Sequence, residues 1–216
     1  MIDFPLIVES LPSLLSATML SVKIAACSAC IGMGMGLLIG TLDAAKNPLL
    51  NPLIRLYVTL FRGTPMLVQI LFAYYVLPQM GLEIEAQWTA IIAIGLNSAA
   101  YISQTVRSGI NSVPVGQIEA ASTLGLSSWQ VTRDIVYPQA FRVVLPALGN
   151  EFITLVKDSS LASIIGVVEL SKAGSIVRSH TYDAFSILLA VACIYLVMTA
   201  LLSFAIEKIE KRMSHA

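Results

Sequence analysis

Long apolar runs separated by short polar segments dominate this chain. A hydrocarbon core about 30 Å thick needs roughly 20 mostly apolar residues in a helix, so each run of that length is a candidate span. Five such runs occur, at about residues 20–42, 53–77, 88–106, 143–168 and 185–206. The pattern predicts an all-α integral membrane protein with five transmembrane helices, in which residues 1–216 form a single domain.

The first run also contains a regular repeat of small residues. Gly32, Gly36 and Gly40 recur every four residues. Small residues on one helix face let another helix approach closely. We therefore expect this face to be a packing seam.

Basic residues are distributed unevenly between the two sides of the predicted bundle. Cytoplasmic loops of membrane proteins collect Lys and Arg. If the N-terminus lies outside, only Lys172 and Arg178 fall on the outer side. Most other basic residues then lie in the cytoplasm: Lys46, Arg55, Arg107, Arg133, Arg142, Lys208, Lys211 and Arg212. We predict an external N-terminus and a cytoplasmic C-terminus.

The largest predicted cytoplasmic segment, residues 108–142, lies between spans three and four and contains helix signals. Pro114 suits the start of a helix, because its missing N–H would have no partner in the first turn. Gly125 suits the end, where the backbone often becomes left-handed. We predict a helix at about residues 115–124.

A second helix is predicted directly after the first. Ser127 and Gln130 match a capping box, in which the two residues satisfy each other's backbone N–H groups. We expect this helix to end near Pro138. A short polar helix pair suits a groove on a partner protein. The alternative is an ordered connector on the membrane surface.

Composition excludes several functions. The chain is 56% hydrophobic and 12% charged, whereas a soluble domain has about 25% charged residues. Its net charge of zero and the lack of a basic, aromatic face argue against nucleic-acid binding. No phosphate-binding G-x-x-x-x-G-K-[ST] loop occurs, so ATP must bind elsewhere. Cys27 and Cys30 have the spacing of a redox or metal pair, but no second Cys or His cluster accompanies them, and small buried cysteines pack well. We predict no metal site and no catalytic residue.

The loop contains a pattern of known spacing. It consists, in order, of Glu119-Ala120-Ala121, three residues, Gly125, nine residues, Ile135, one residue and Tyr137-Pro138. This resembles the EAA motif of the permease subunits of bacterial binding-protein-dependent ABC importers, most of which carry Leu in place of Tyr137. The resemblance implies a cytoplasmic coupling-helix loop whose ATPase-coupling residues are Glu119, Ala120, Ala121, Gly125 and Leu126.

Further segments look like the polar amino acid branch of this family, the glutamine, histidine and arginine permeases. They are Phe61-Arg62-Gly63-Thr64-Pro65, Ala100-Tyr101 with Arg107, Leu148-Gly149-Asn150-Glu151 and Lys157-Asp158-Ser159-Ser160-Leu161. The resemblance, over residues 11–213, implies a transport subunit that is not itself an enzyme. It would move a polar amino acid across the bacterial cytoplasmic (inner) membrane by alternating access.

The same resemblance implies the partners. A second permease subunit would complete a homodimer or heterodimer. A cytoplasmic ABC ATPase would bind ATP and Mg, and this chain would bind no cofactor. An extracellular or periplasmic amino-acid-binding protein would deliver the substrate.

Polar side chains inside the apolar runs are the candidate substrate contacts, because such groups usually face a cavity or a helix interface. Residues at i, i+4 and i+7 share one helix face. The candidates are Asn97, Tyr101 and Gln104 in the third run and Glu151, Asp158, Ser159 and Ser160 in the fourth. We expect the Asp158 carboxylate to meet an α-ammonium group. The alternative is contact between helices, or an internal ion pair of Lys157.

Two residues of the second run form a candidate gate. Pro65 removes one helical hydrogen bond, and Gly63 relaxes the backbone beside Arg62. A kinked gate facing the cytoplasm is one interpretation. The alternative is that Arg62 extends to the lipid headgroups.

Two other functions stay open at this point. An ion-coupled secondary amino acid carrier would also use intramembrane Glu151 and Asp158, although such carriers commonly contain internal repeats. A non-transporting membrane scaffold would not need the polar faces. Neither function accounts for the motif at Glu119.

Overall fold

The computed structural model describes residues 2–214, and the side chains of residues 2–211. The described residues are helical and contain no β-strand. The helices are α1 (Phe4–Ala44), α2 (Asn51–Gly63), α3 (Met66–Tyr75), α4 (Ala86–Asn111), α5 (Val115–Thr123), α6 (Ser128–Val131), α7 (Tyr137–Asp158), α8 (Leu170–Thr181) and α9 (Ala184–Ser214). Turns of 3₁₀-helix cover Leu77–Met80 and Ser159–Ile165, and Thr132–Val136 is π-helical. The side chain of Arg212 lies outside the described part.

Helices α1 and α4 pack against each other at the centre of the bundle. At Gly36, an added Cβ would lie 2.5 Å from the Ile102 side chain. Gly32 and Gly40 are similarly close to atoms of α4. The two helices approach this closely only because these residues lack side chains. The predicted packing seam is therefore confirmed.

By length and composition, the described helices contain two to four candidate spans. α1 and the Ala184–Lys211 part of α9 qualify alone. Two bent helix pairs qualify only if each pair is counted as one span. They are α2 with α3 and Ser128–Ile165 with α8. α4 does not appear among these candidates, although it has 26 residues. More than half of α4 is buried by other helices, and a helix covered by protein can carry polar residues.

The second apolar run is not one continuous helix. α2 ends at Gly63, and α3 starts at Met66 in a direction 101° away. Thr64 and Pro65 between them are extended, with ψ of 144° and 134°. Proline disfavours the helical conformation in the preceding residue and cannot donate a helical hydrogen bond. The expected kink is thus a complete break.

The first loop helix and the start of the second form as the sequence predicts. α5 corresponds to the predicted helix at 115–124. Gly125 has a φ of 83°, and the Leu126 N–H then reaches the Ala121 carbonyl oxygen at 3.2 Å. Ser127 and Gln130 form the capping box.

The prediction that the second helix ends near Pro138 is wrong. α6 continues through the π-helical segment into α7, so the chain stays helical from Ser128 to Asp158. The Tyr137 N–H bonds to the Thr132 carbonyl, five residues back. This wider turn precedes Pro138 and accommodates a residue that lacks an N–H.

A buried carboxylate ties α1, α8 and α9 together. Glu169 is fully buried. It accepts hydrogen bonds from Ser21 Oγ at 3.1 Å and from the Tyr195 hydroxyl at 2.9 Å. The backbone N–H groups of Ser171 and Lys172 donate to it at 3.0 and 2.9 Å. A buried charge needs such partners, and sequence analysis had not identified this contact.

Gly36→Val is expected to destabilise the fold, whereas Gly34→Val in the same helix is not. A Cβ at Gly36 meets Ile102, while nothing lies within 4 Å of one at Gly34. Overpacking of this kind typically costs about 1–3 kcal/mol. The measurement is the midpoint of thermal unfolding in detergent. Equal midpoints for the two variants would contradict the close contact between α1 and α4.

Candidate functional site

A cavity of about 560 Å³ lies beside the break between α2 and α3. α4 and the C-terminal half of α7 form its other walls. Its lining residues are Arg62, Gly63, Thr64, Pro65, Met66, Asn97, Tyr101, Glu151, Thr154 and Asp158. Both predicted gate residues and four of the predicted substrate contacts therefore meet in one place. Thr64, Met66 and Thr154 are additional lining residues that sequence analysis missed.

Two amide side chains hold the broken helix against α4. Gln69 Nε2 donates to the carbonyl oxygens of Phe61 and Thr64, at 2.8 and 3.1 Å, and to Thr64 Oγ1 at 2.8 Å. Asn97 Nδ2 donates to the same Phe61 carbonyl and to Gln69 Oε1, both at 3.0 Å. These bonds satisfy carbonyl groups that the break leaves without helical partners. Asn97 thus positions the cavity wall.

The positive side of the cavity is a stacked arginine. The guanidinium carbon of Arg62 lies 5.1 Å from the centre of the Tyr101 ring. Such a cation–π contact is worth about 0.5–1 kcal/mol at an exposed site. It orients the guanidinium while leaving its N–H groups available, because the ring face accepts no directed hydrogen bond from them.

The negative side consists of two carboxylates on one face of α7. Glu151 and Asp158 both line the cavity, with Thr154 between them. Ser98 Oγ on α4 donates to Glu151 Oε1 at 2.7 Å. Lys157 is exposed and makes no salt bridge with a side chain of residues 2–211. The internal ion pair considered from the sequence is therefore not formed.

Three predicted substrate contacts do not line this cavity. Gln104 Nε2 instead donates to Asp43 Oδ2 at 3.3 Å. Ser159 is fully buried, and its hydroxyl donates to the Val156 carbonyl oxygen at 2.7 Å. Ser160 lies in the 3₁₀ turn that follows α7. For Ser159 and Ser160, the regular helical spacing does not hold, because α7 ends at Asp158 and the 3₁₀ turn rotates residues differently. Gln104 lies in the regular helix α4, and its face meets Asp43 rather than the cavity.

Asp43 is a charged residue that sequence analysis overlooked. It is almost fully buried, and its Oδ2 accepts a hydrogen bond from Arg107 Nη1 at 3.0 Å. Asn51 Nδ2 donates to Asp43 Oδ1 at 3.3 Å. The carboxylate thus joins the ends of α1 and α4 to the start of α2. Arg107, taken from the sequence as a cytoplasmic charge, is a structural partner.

The predicted docking residues lie on and after α5. Glu119 and Ala120 are exposed, whereas Ala121 is buried in a small apolar cluster with Val113 and Val136. Leu126 packs against this cluster. The cluster makes the helix pair a unit with one packed side and one free side.

A side-chain hydrogen bond attaches this unit to the rest of the bundle. Gln139 Nε2 on α7 donates to Gln117 Oε1 on α5 at 2.7 Å, and to the Ile135 carbonyl oxygen at 2.9 Å. α7 also carries Glu151 and Asp158. The free side of α5 is therefore connected to the cavity by one helix.

The sequence is similar to known membrane transport proteins. The family model described as the binding-protein-dependent transport system inner membrane component matches residues 32–215. The arginine transport system permease protein ArtQ of Bacillus subtilis is 34% identical over 216 residues, covering 98% of this chain and 97% of that protein. The putative glutamine transport system permease protein GlnP of Rickettsia conorii is 35% identical over 201 residues, covering 93% and 92%.

The fold is also similar to solved structures. A crystal structure of an amino acid ABC transporter with histidines has a TM-score of 0.92 and 37% sequence identity, covering 98% of this chain and 99% of that chain. The inward-facing MetNI methionine ABC transporter has a TM-score of 0.79 at 21% identity, with the same coverage. The second similarity concerns the fold alone.

Gln69→Leu is expected to loosen the break between α2 and α3. It removes the donor to the Thr64 carbonyl oxygen and one of the two donors to the Phe61 carbonyl oxygen. Each lost hydrogen bond is worth about 0.5–1.5 kcal/mol. Hydrogen exchange at residues 61–66 should rise. The matched control is Gln79→Leu, because Gln79 is exposed and donates only to the Tyr75 carbonyl oxygen. Unchanged exchange in Gln69→Leu would show that this side chain does not hold the break.

Proposed function

We propose a transport cycle for this chain from one premise: it belongs to the family of binding-protein-dependent transport system inner membrane components. It is the membrane permease subunit of an ABC importer, not an enzyme by itself. This membership decides against the ion-coupled carrier and the scaffold. The similarity to arginine and glutamine permeases supports a polar amino acid as the cargo.

The proposed complex contains partners that the family implies. Two permease subunits, identical or different, form a two-fold dimer. A cytoplasmic ATPase binds ATP and Mg for each of them. A binding protein outside the membrane delivers the amino acid. We place the complex in the bacterial cytoplasmic membrane.

The proposed membrane arrangement has five spans, with the N-terminus outside and the C-terminus in the cytoplasm. They are formed by α1, the α2–α3 pair, α4, α7 and α9, within the single domain 1–216. The 26 residues of α4 make a helix about 39 Å long at the α-helical rise per residue, which exceeds the hydrocarbon thickness. Four of its polar residues, Thr89, Asn97, Ser98 and Ser103, are buried against other helices, which supports a central position.

The proposed substrate site is the cavity at the break. The observation that carries it is that Arg62 lines the same cavity as Glu151 and Asp158. A free amino acid has an α-carboxylate and an α-ammonium group. We assign the carboxylate to Arg62, because a guanidinium binds carboxylates with paired N–H groups. Asp158 takes the ammonium group.

The second carboxylate gives the site a chemical preference. With one guanidinium and two carboxylates lining the cavity, one negative charge is left over after the two α-groups are bound. Glu151 then faces the side chain of the substrate. This favours a side chain that donates hydrogen bonds or carries a positive charge. A carboxylate side chain would be repelled.

The bend and the stacked arginine together form the proposed gate. Thr64 and Pro65 are extended and carry no helical hydrogen bond across the break, so α3 can turn relative to α2 without breaking either helix. Arg62 moves with α2. When α2 swings, the contact of Arg62 with Tyr101 is lost, and the cavity opens on one side.

The proposed coupling element is the α5–α6 helix pair. The exposed side with Glu119 and Ala120 docks on the ATPase. Because the chain is helical without interruption from Ser128 to Asp158, a displacement of the pair moves Asp158 as well. The hydrogen bond between Gln117 and Gln139 keeps α5 in step with α7. Closure of the ATPases around ATP would in this way change access to the cavity.

Asp158→Asn is expected to weaken substrate action without impairing assembly. Loss of a charge-assisted hydrogen bond costs about 1.5–3 kcal/mol, so the half-saturating amino acid concentration should rise roughly ten- to hundredfold. The measurement is ATP hydrolysis by the reconstituted complex, with and without binding protein and amino acid. Stimulated hydrolysis should fall more than basal hydrolysis. Glu83→Gln is the control, because Glu83 is exposed and does not line the cavity. An equal fall in basal and stimulated hydrolysis would make Asp158 structural.

Glu119→Ala is expected to reduce the amount of amino acid transported per ATP hydrolysed by at least severalfold. The side chain is exposed and makes no hydrogen bond within the described residues, so its loss should not affect insertion or stability. Transport and hydrolysis are measured together in proteoliposomes that contain the ATPase. Glu83→Ala serves as the control. A transport ratio equal to that of the unmodified protein, or failure of any ATPase to co-purify with the unmodified chain, would contradict the coupling proposal.

A further inference from the structure

A groove and a pocket meet where α1 and α4 end beside α7. The groove, about 430 Å³, has an almost wholly apolar lining that includes Leu37, Val106 and Phe141. The pocket, about 490 Å³, extends from the end of α1 to the α5–α6 pair. Thr41, Ile110 and Tyr137 line both spaces. The two spaces therefore adjoin, and we take them as one site with an apolar part, the groove, and a part with more polar side chains, the pocket.

The polar part is suited to an anion. Lys46 is the one charged residue among those that line it, and no carboxylate lines it. Lys46 is exposed and makes no salt bridge with the described side chains. Asn111 and Ser128 also line the pocket, and neither side chain has a hydrogen-bond partner within residues 2–211. Three donors thus face one space without a protein acceptor.

The apolar part is suited to a hydrocarbon chain. Leu37 and Phe141 on its rim are 43% and 49% exposed, and Val106 and Val144 form its buried floor. The groove follows α4 from Val106 to Ile110, about one helical turn. It opens on helices that lie in the membrane, where the surrounding molecules are lipid acyl chains rather than water.

We propose that this site binds one anionic phospholipid. An acyl chain occupies the groove, and the phosphate group lies in the pocket against Lys46, Asn111 and Ser128. A soluble anion would use only the pocket, and a zwitterionic lipid such as phosphatidylcholine would bring a quaternary ammonium group close to the positive charge of Lys46. Because Ser128 begins α6, the bound lipid contacts the helix pair directly. Membrane composition then affects the stability of that pair, whichever amino acid is transported.

Lys46→Gln is expected to lower the retention of anionic lipid about tenfold, since it removes one charge-assisted contact. The complex of the permease and its ATPase is purified from nanodiscs of phosphatidylcholine mixed with phosphatidylglycerol, and bound lipid is counted by native mass spectrometry. The unmodified complex should retain phosphatidylglycerol in preference to phosphatidylcholine. Lys208→Gln, which removes an exposed lysine of α9, should retain as much as the unmodified complex. Lys46→Arg should also retain the lipid.

A second variant tests the groove separately from the charge. Thr41→Phe fills the junction of the two spaces while Lys46 stays in place, so it should also lower retention. Equal retention by Lys46→Gln and the unmodified protein would overturn the proposal, as would equal retention of the two lipids. Displacement of the lipid by glycerol phosphate would assign the pocket to a soluble anion instead. If the permease alone retains the lipid and its complex with the ATPase does not, the pocket is a contact site for the ATPase, and the proposal is overturned.

Discussion

The hydrogen bonds of Gln69 and Asn97 make the broken helix possible. A backbone that leaves the helical conformation within a membrane exposes carbonyl groups, and lipid offers them no donors. Here two side-chain amides supply the donors, one from α3 and one from α4. Without them, Thr64 and Pro65 would not be stable in an extended conformation. The cavity exists because this break moves α3 away from the line of α2.

The remaining helices form a support against which this break is held. Gly32, Gly36 and Gly40 bring α1 onto α4. Asp43 and Glu169 each bind several donors and join α1 to other helices. Asp43 does so at the C-terminal end of α1, and Glu169 does so at Ser21 in its middle. A buried carboxylate that loses a donor is left with an unpaired oxygen, so these contacts resist rearrangement. α2, by contrast, has no buried residue and is the element best able to move.

Three functional regions share α7 and its extension. The cavity uses Glu151 and Asp158, the proposed docking surface is attached through Gln139, and the proposed lipid groove uses Phe141 and Val144. A helix is stiff along its axis because each turn is bonded to the next. In the proposed transport cycle, a displacement at one of these places would therefore reach the others through this helix. The hydrogen bonding of this helix is altered at the π-helical segment Thr132–Val136, between the α6 start and the groove. It is also altered at Pro146, which lacks a backbone N–H and lies between the groove and Glu151.

The sequence by itself determined the helix ends of the loop, the membrane class and the family of this protein. Pro114, Gly125, Ser127 and Gln130 act within one or two turns, so the ends of α5 and the start of α6 followed from their spacing. The apolar runs identified a membrane protein, and the motif at Glu119 identified its family. Contacts between distant segments were decided only by the tertiary structure. Asp43 and Gln69 have no local signal, because their partners lie on other helices. The position of Gln104 shows the same limit: its helical face was predictable, but the neighbour that the face would meet was not.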